Sequence, residues 1–387
     1  MNVVFLSPHF PRQYHLFCAG LRSLGARALG IGDANLSELP PPLRGALTEY
    51  YRVEDLHDYD GLVRACGYFT HRYGKIDRFE SHNEYWLDTD ARIRDDFNIF
   101  GLRSADIRRI RRKSGMKAVF REAGLTTAPG RIATTLEDAA ALAEEAGYPL
   151  IAKPDAGVGA LDTFRIENPD ELQRFFDAKP EAPYFLEAFV RGELYSFDGM
   201  TDANGGIVFE TAHFFSQGIM ETVNEGRHIH YYNLMDVPPA LRDAGRACVR
   251  AFGIRERFFH IEFFKTGTTD YIPLEVNLRP PGGFTTDMFN YAADADVYRS
   301  WAEVVVQGGT AMAYRPRYHC CYASRKVHIP YAIGEEEIRR RFAEHLVAVE
   351  TVPGVFRSAL GDTGFLFRSP DMDVIHTVVE AIHRTEG

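Results

Sequence analysis

Two runs that alternate apolar and polar residues, FFHIEFFK and YIPLEVNL, flank the polar stretch TGTTD between Phe258 and Leu278. A strand sends successive side chains to opposite faces, so this pattern predicts an antiparallel hairpin with one apolar and one polar surface. With the turn centred between Thr268 and Thr269, Glu262 faces Glu275 and His260 faces Asn277. Directly opposed β-carbons lie ~5 Å apart, and two like charges at that spacing destabilise a sheet unless a cation sits between them. A hard divalent ion such as Mg²⁺ fits, since it takes oxygen ligands and shares phosphate or water. The alternative is that one acid is exposed or paired with Arg279. Asn277 and Arg279 share the polar face; the first can add a neutral oxygen and the second can meet a phosphate or an oxyanion.

Upstream of the hairpin the chain changes character twice. The first hundred residues alternate strand and helix (NVVFLS, QYHLFCAGLRSLG, ALGIGD, DYDGLVRACGYFTHRYG, IDRFES), which predicts an open parallel α/β sheet. Its loop Ser7–Arg12 carries no GxGxxG and is not read as a dinucleotide site. From Ser104 a single basic helix is expected up to Gly124, then a helix over LEDAAALAEEAGY and a strand PLIAKP. The strands YFLEAFV, LYSFDGMTD and GIVFETAHFF read as an antiparallel series, and the last seventy residues mix strands with two short helices. The expected boundaries are 1–103 (α/β), 104–312 in two lobes divided at 185/186, and 313–387 (α+β).

Composition narrows the function classes. The 387 residues carry a formal charge of −10, which argues against general attraction to nucleic acid or an anionic membrane. Five cysteines without CxxC spacing fit reduced thiols. The start, MNVVFLSPHFPRQYHLF, is broken by Pro8 and Pro11 and reads against a signal peptide, and no apolar run reaches membrane-spanning length. The expected location is cytoplasmic.

A nucleotide site would need cations for phosphates. Lys153 ends PLIAKP and precedes DAGVGALDT, whose Gly157 and Gly159 let backbone amides turn toward an anion. The lysine precedes the glycines, so this is no Walker A loop. In order, KSGMKAVFREAGLTTAPG, PLIAKPDAGVGALDT, YFLEAFVRGELYSFDG, IEFF and LEVNLRPPGG resemble the ATP-grasp superfamily over about Lys113 to Thr310, after an α/β domain of the kind that superfamily usually carries. The resemblance implies ATP and Mg²⁺ as cofactors, with two ions and Mn²⁺ as a substitute. Lys113 and Lys153 look like its phosphate-binding lysines, and Ala156, Gly157, Val158 and Gly159, in the loop up to Ala160, like the cover over them. Glu187, with the backbone of Phe189 and Val190, looks like the adenine hinge. Glu262, Glu275 and Asn277 look like the metal ligands, and Arg279 like the arginine beside the transferred phosphate.

The chain departs from that pattern at Leu194, where the family places a ribose-binding glutamate. Glu193 sits one residue early, a shift that turns a strand side chain to the other face. The implied reaction activates a small carboxylate as an acyl phosphate for attack by an amine or a thiol, with amide formation ranked first. Arg279 and the amides of Gly282 and Gly283 would steady the oxyanion. The partners implied are small carboxylate and amine substrates, with no nucleic acid and no membrane; the superfamily commonly forms homodimers. The acceptor is expected near Ser216–Tyr232, with His228 and His230 as candidate contacts, and His9 and Glu84 as weaker candidates from the first domain. A bicarbonate-activating, biotin-carboxylase-like enzyme and a non-catalytic nucleotide sensor are the competing readings.

Overall fold

The computed structural model describes residues 1–157, 162–218, 222–223 and 225–386. Its first sheet is parallel throughout, in the order β3-β2-β1-β4, with β1 (Asn2–Leu6), β2 (Arg27–Gly32), β3 (Glu49–Arg52) and β4 (Arg78–Glu80). The helices α1 (His15–Ser23), α2 (Pro41–Ala46), α3 (Tyr59–Tyr73) and α4 (Leu87–Asp96) accompany it. Apolar residues on both sides of β1, such as Val3 and Phe5 against Val4 and Leu6, enter two separate cores, as a sheet buried on both faces requires.

The expected single basic helix is two. α5 (Ser104–Arg111) and α6 (Lys113–Glu122) are separated by Arg112, which is extended (φ −94°, ψ 125°) and forms a β-bridge with Ala156. The interruption gives α6 a fresh N-terminus at Lys113, whose N–H donates to the Asp155 carbonyl while Ser114 N–H donates to the Asp155 carboxylate. Helical periodicity continues across a one-residue break, so this boundary left no mark in the apolar pattern.

Two further sheets follow. A small one has the order β5-β8-β6-β7, from β5 (Gly130–Ile132), β6 (Leu150–Pro154), β7 (Phe164–Ile166) and β8 (Tyr184–Ala188), backed by α7 (Leu136–Ala146) and α8 (Pro169–Ala178) around Leu142, Leu150, Leu172 and Leu186. β8 therefore pairs with β5 and β6, not with the strand that follows it, which corrects the expected antiparallel series. The large sheet has eight strands. They are β9 (Glu193–Thr201), β10 (Ile207–Phe215), β11 (His230–Asn233), β12 (Phe258–Lys265), β13 (Tyr271–Asn277), β14 (His319–Arg325), β15 (Leu346–Thr351) and β16 (Thr363–Ser369), in the order β13-β12-β9-β10-β11-β14-β16-β15. The C-terminal strands thus extend this sheet. The stretch Ser216–Tyr232 ends inside β11, so its last three residues are strand.

Candidate active site

The hairpin β12–β13 has the register read from its alternation: Glu262 faces Glu275 and His260 faces Asn277. Nearer the turn the pairing slips by one at a bulge between Glu262 and Phe263, so the turn is not centred as expected. β9 continues the polar stripe, with Ser196 beside Glu262 and Asp198 beside His260. Asn277 Nδ2 donates to Glu275 Oε1 at 3.1 Å, and His260 bridges Glu262 Oε1 (3.1 Å) and Asp198 Oδ1 (2.5 Å). Burial alone would lower the His260 pKa, but Asp198 outweighs it and pushes the ring up to about 10. Burial likewise opposes ionisation of Glu275, yet Lys113 and the Asn277 hydrogen bond hold its carboxyl below the usual range. One oxygen of each glutamate is thus held by a neighbour.

Three lysines approach this stripe from the small sheet and α6. Lys153, on β6, lies 2.5 Å from Glu187 Oε1, and Lys117 lies 2.8 Å from Glu187 Oε2. Burial works against the Glu187 charge, but these two ammonium groups bring its pKa down to about 2. Lys117 also donates to the Pro273 carbonyl on β13 (3.2 Å), which ties the small sheet to the large one. Lys113 reaches the Gly157 carbonyl at 3.4 Å, and its pKa is lowered by burial against the pull of Glu275. Lys117 was missed in the sequence; its signal was the i, i+4 spacing from Lys113, which places both on one face of α6.

Glu187 has both carboxylate oxygens committed to lysines, so its side chain aligns those lysines. In the hinge after it, the Phe189 N–H is taken by the Pro149 carbonyl at 3.1 Å. Ala156 pairs with Arg112, and Gly157 is described, whereas Val158, Gly159 and Ala160 lie outside the described residues. Glu193 needs correction as a nucleotide contact. It pairs with Lys265 across β12, on the face opposite Glu262 and Glu275, and is exposed. A side chain at Gly192 would meet the Lys265 carbonyl at 2.6 Å, so that close approach locks the register and leaves Leu194 on the inner face.

The first domain closes the far end of the cleft. Glu84, just beyond β4, is buried, and its Oε2 lies 3.7 Å from Arg279 Nε. Burial raises its pKa, Arg279 opposes that, and Glu275 adds to it, for a net rise. Gln13 donates to the Gly283 carbonyl at 2.8 Å. Gly283 has φ +64° and faces Leu360, a backbone position that favours glycine, while the Gly282 carbonyl accepts from Thr285. Glu84, expected only weakly, is therefore beside Arg279. His9 pairs with Asp33 at 3.5 Å. His228 and His230 do not join the site. His230 points to the face opposite Glu262, and His228 stacks on His383 with ring centroids 3.8 Å apart.

Residues 112–195 match the family model described as the carbamoyl-phosphate synthase L chain, ATP binding domain. The fold matches the crystal structure of an L-amino acid ligase from Bacillus licheniformis with a TM-score of 0.74 at 15% identity, covering 98% of this chain and 96% of that one. The chain has the ATP-grasp fold. A second ATP-grasp structure, the biotin carboxylase domain of the Hydrogenobacter thermophilus 2-oxoglutarate carboxylase with MgADP and bicarbonate, matches at TM-score 0.69 and 15% identity over 98% of this chain and 89% of that one. In sequence, the L-arginine-specific L-amino acid ligase of Bacillus subtilis is 22% identical over 275 residues, 69% of this chain and 66% of that protein, so the match spans slightly less than two thirds of that relative.

Proposed function

We propose that this chain is an ATP- and Mg²⁺-dependent ligase that activates a small carboxylate as an acyl phosphate and joins it to an amine, with an amino acid as one substrate. The observation that carries the reading is the convergence of Lys113, Lys117 and Lys153 on the strand pair bearing Glu262 and Glu275, with Arg279 and Glu84 at the next step along the cleft. The boundaries expected at 103/104 and 312/313 divide the labour: residues before 104 face the substrates, and 104–312 hold the nucleotide.

The donor set suits Mg²⁺. Among the described residues no three His, Cys, Asp or Glu side chains form a metal-binding group of their own. Mg²⁺ asks for only one or two carboxylates when phosphate supplies the rest. Glu262 and Glu275 would hold it, with the Asn277 carbonyl oxygen beside them, and the ion would offset charge on the β- and γ-phosphates. Lys113 and Lys153 would bind the phosphates. The adenine edge would lie along the chain at Val190, whose neighbour Phe189 has already spent its N–H. Arg279 is placed to meet the transferred phosphoryl group and then the oxyanion formed as the amine attacks, with the Gly282 and Gly283 amides beyond it. Glu84, buried and close to one cation, is suited to an ammonium group of an amino-acid substrate. Among the described residues no helix is long and apolar enough to cross a membrane, and all five cysteines are free and buried, which supports a cytoplasmic setting.

The test is release of ADP and phosphate with ATP, Mg²⁺ and a panel of amino acids, the products read by mass spectrometry. Amino-acid-dependent ADP release with a dipeptide or other amide product is expected. Turnover that requires bicarbonate and no amine would reverse the reading in favour of carboxylation.

A further inference from the structure

Glu84 and Arg279 follow strands of different sheets, and something must hold their tips 3.7 Å apart. Among the described residues, one side chain at the seam between the sheets hydrogen-bonds to both carrying segments. Arg257, 3% exposed, immediately precedes β12. Its Nε donates to the Leu278 carbonyl at 2.8 Å, and its Nη2 donates to Glu80 Oε1 at 2.5 Å. Leu278 is the residue before Arg279. Glu80 ends β4, and Glu84 follows four residues later.

The segment between Glu80 and Glu84 is fixed on its other sides. The second Glu80 oxygen accepts from Arg94 Nη2 at 3.1 Å, and Arg94 also binds the Phe79 carbonyl. Ser81 Oγ donates to Asp90 at 2.6 Å, and Tyr14 donates to the His82 carbonyl at 2.9 Å. His82 is held at φ +54°, a left-handed backbone that a non-glycine residue adopts only when its surroundings impose it. Arg257 is therefore the joint between an otherwise rigid loop and the strand end that presents Arg279.

A neighbouring ion pair supplies the contrast. Arg78 Nη2 binds Glu256 Oε2 at 2.8 Å across the same seam, but neither side chain hydrogen-bonds to Leu278 or Glu80. If the seam served stability alone, the two arginines would be equivalent. We propose that Arg257 is a positioning residue for the ligase site, setting the Glu84–Arg279 spacing through the Glu80 carboxylate and the Leu278 carbonyl. The proposal rests on the ligase reading above for its kinetic consequence and on the hydrogen bonds alone for its structural one. A lysine cannot replace it, because one ammonium group lacks the planar fork that reaches a carboxylate and a carbonyl in divergent directions.

The experiment compares Arg257→Lys with Arg78→Met and Glu80→Gln in the full chain, by amide hydrogen exchange and by steady-state kinetics with amino acids. For Arg257→Lys, the amides of Arg279 and of Gly282 to Thr285 should exchange faster while β12 stays protected. The kcat/KM for the amino-acid substrate should fall about 10- to 100-fold, since a misplacement of about 1 Å costs that much, while affinity for MgADP stays at the wild-type value. Arg78→Met should lower the thermal midpoint yet leave both readouts of the turn unchanged. Glu80→Gln, which keeps an acceptor oxygen, should fall between the two and serves if Arg257→Lys does not fold. Unchanged exchange at 279–285 in both Arg257→Lys and Glu80→Gln overturns the proposal, as does an equal kinetic loss in Arg78→Met. Faster exchange in a protein whose wild type shows no amino-acid-dependent turnover keeps the positioning role and removes the ligase reading instead.

Discussion

Two buried glutamates show how differently one side chain can be used within a single cleft. Glu187 is 4% exposed and Glu84 is 9% exposed, so both have lost most of their water. Glu187 has a lysine on each oxygen and a pKa brought down to about 2; Glu84 has one arginine at 3.7 Å and a pKa raised above its ordinary value. A buried charge whose partners are complete is a fixed part of the scaffold, and removing it leaves those partners uncompensated. A buried carboxylate with incomplete partners is unstable as an ion until something positive arrives. The comparison marks Glu187 as the holder of Lys117 and Lys153, and Glu84 as a buried carboxylate with only a single, longer ion pair to Arg279.

The strongest way to break this division is at the metal-binding pair proposed on β12 and β13. Glu275→Ala should reduce Mg²⁺-dependent ADP release by about 1000-fold, the scale of losing a principal electrostatic contact in a phosphoryl-transfer site. Its circular dichroism should match the wild type, and wild-type turnover in this variant would remove the metal assignment. Glu187→Gln should destabilise the fold by about 3 kcal/mol in urea titration, because Lys117 and Lys153 stay buried without their counter-ion. A loss below about 0.5 kcal/mol, the level of an ordinary surface change, would make the pair incidental.

Glu84→Gln sharpens the contrast. It should raise the KM for the amino-acid substrate by about tenfold, the worth of one charge-assisted contact, while the unfolding free energy does not fall and MgADP affinity holds steady. Loss of stability on the Glu187 scale would show that Glu84 is scaffold too. The smallest effect is in acid. A depressed folded pKa gives stability that is present above the unfolded value of 4.5 and lost as pH falls toward about 2, so Glu187→Gln should flatten that part of the stability profile. For Glu84 the raised pKa has the opposite sign: its ionisation costs the folded state as pH rises past 4.5, so Glu84→Gln should leave the limb below 4.5 unchanged and remove the loss above it.

Alternation made the polar stripe legible, because register in a hairpin with one apolar face has little freedom. The pairing of Glu262 with Glu275 and of His260 with Asn277 followed from it directly, even though a bulge shifted the turn. The parallel first sheet was legible for a similar reason, since strand and helix periods differ enough to be told apart. Glu193 was a local question of one residue, and the backbone contact at Gly192 answered it. The break at Arg112 was not readable, and the partners of Lys117 and Glu84 were not, although spacing from Lys113 and position after a strand hinted at the residues themselves. Each depends on a partner far along the chain: Glu187 and Pro273 for Lys117, Asp155 and Ala156 for Arg112, Arg279 for Glu84.

The sequence by itself determined which side chains share a strand face and the types of element that carry them, because these follow from local periodicity and turn chemistry. Only the tertiary structure decided which charges meet. Ion pairing among buried groups is set by where separate sheets dock, and Arg257, bridging Glu80 and Leu278 across that junction, has no counterpart in any local pattern of residues.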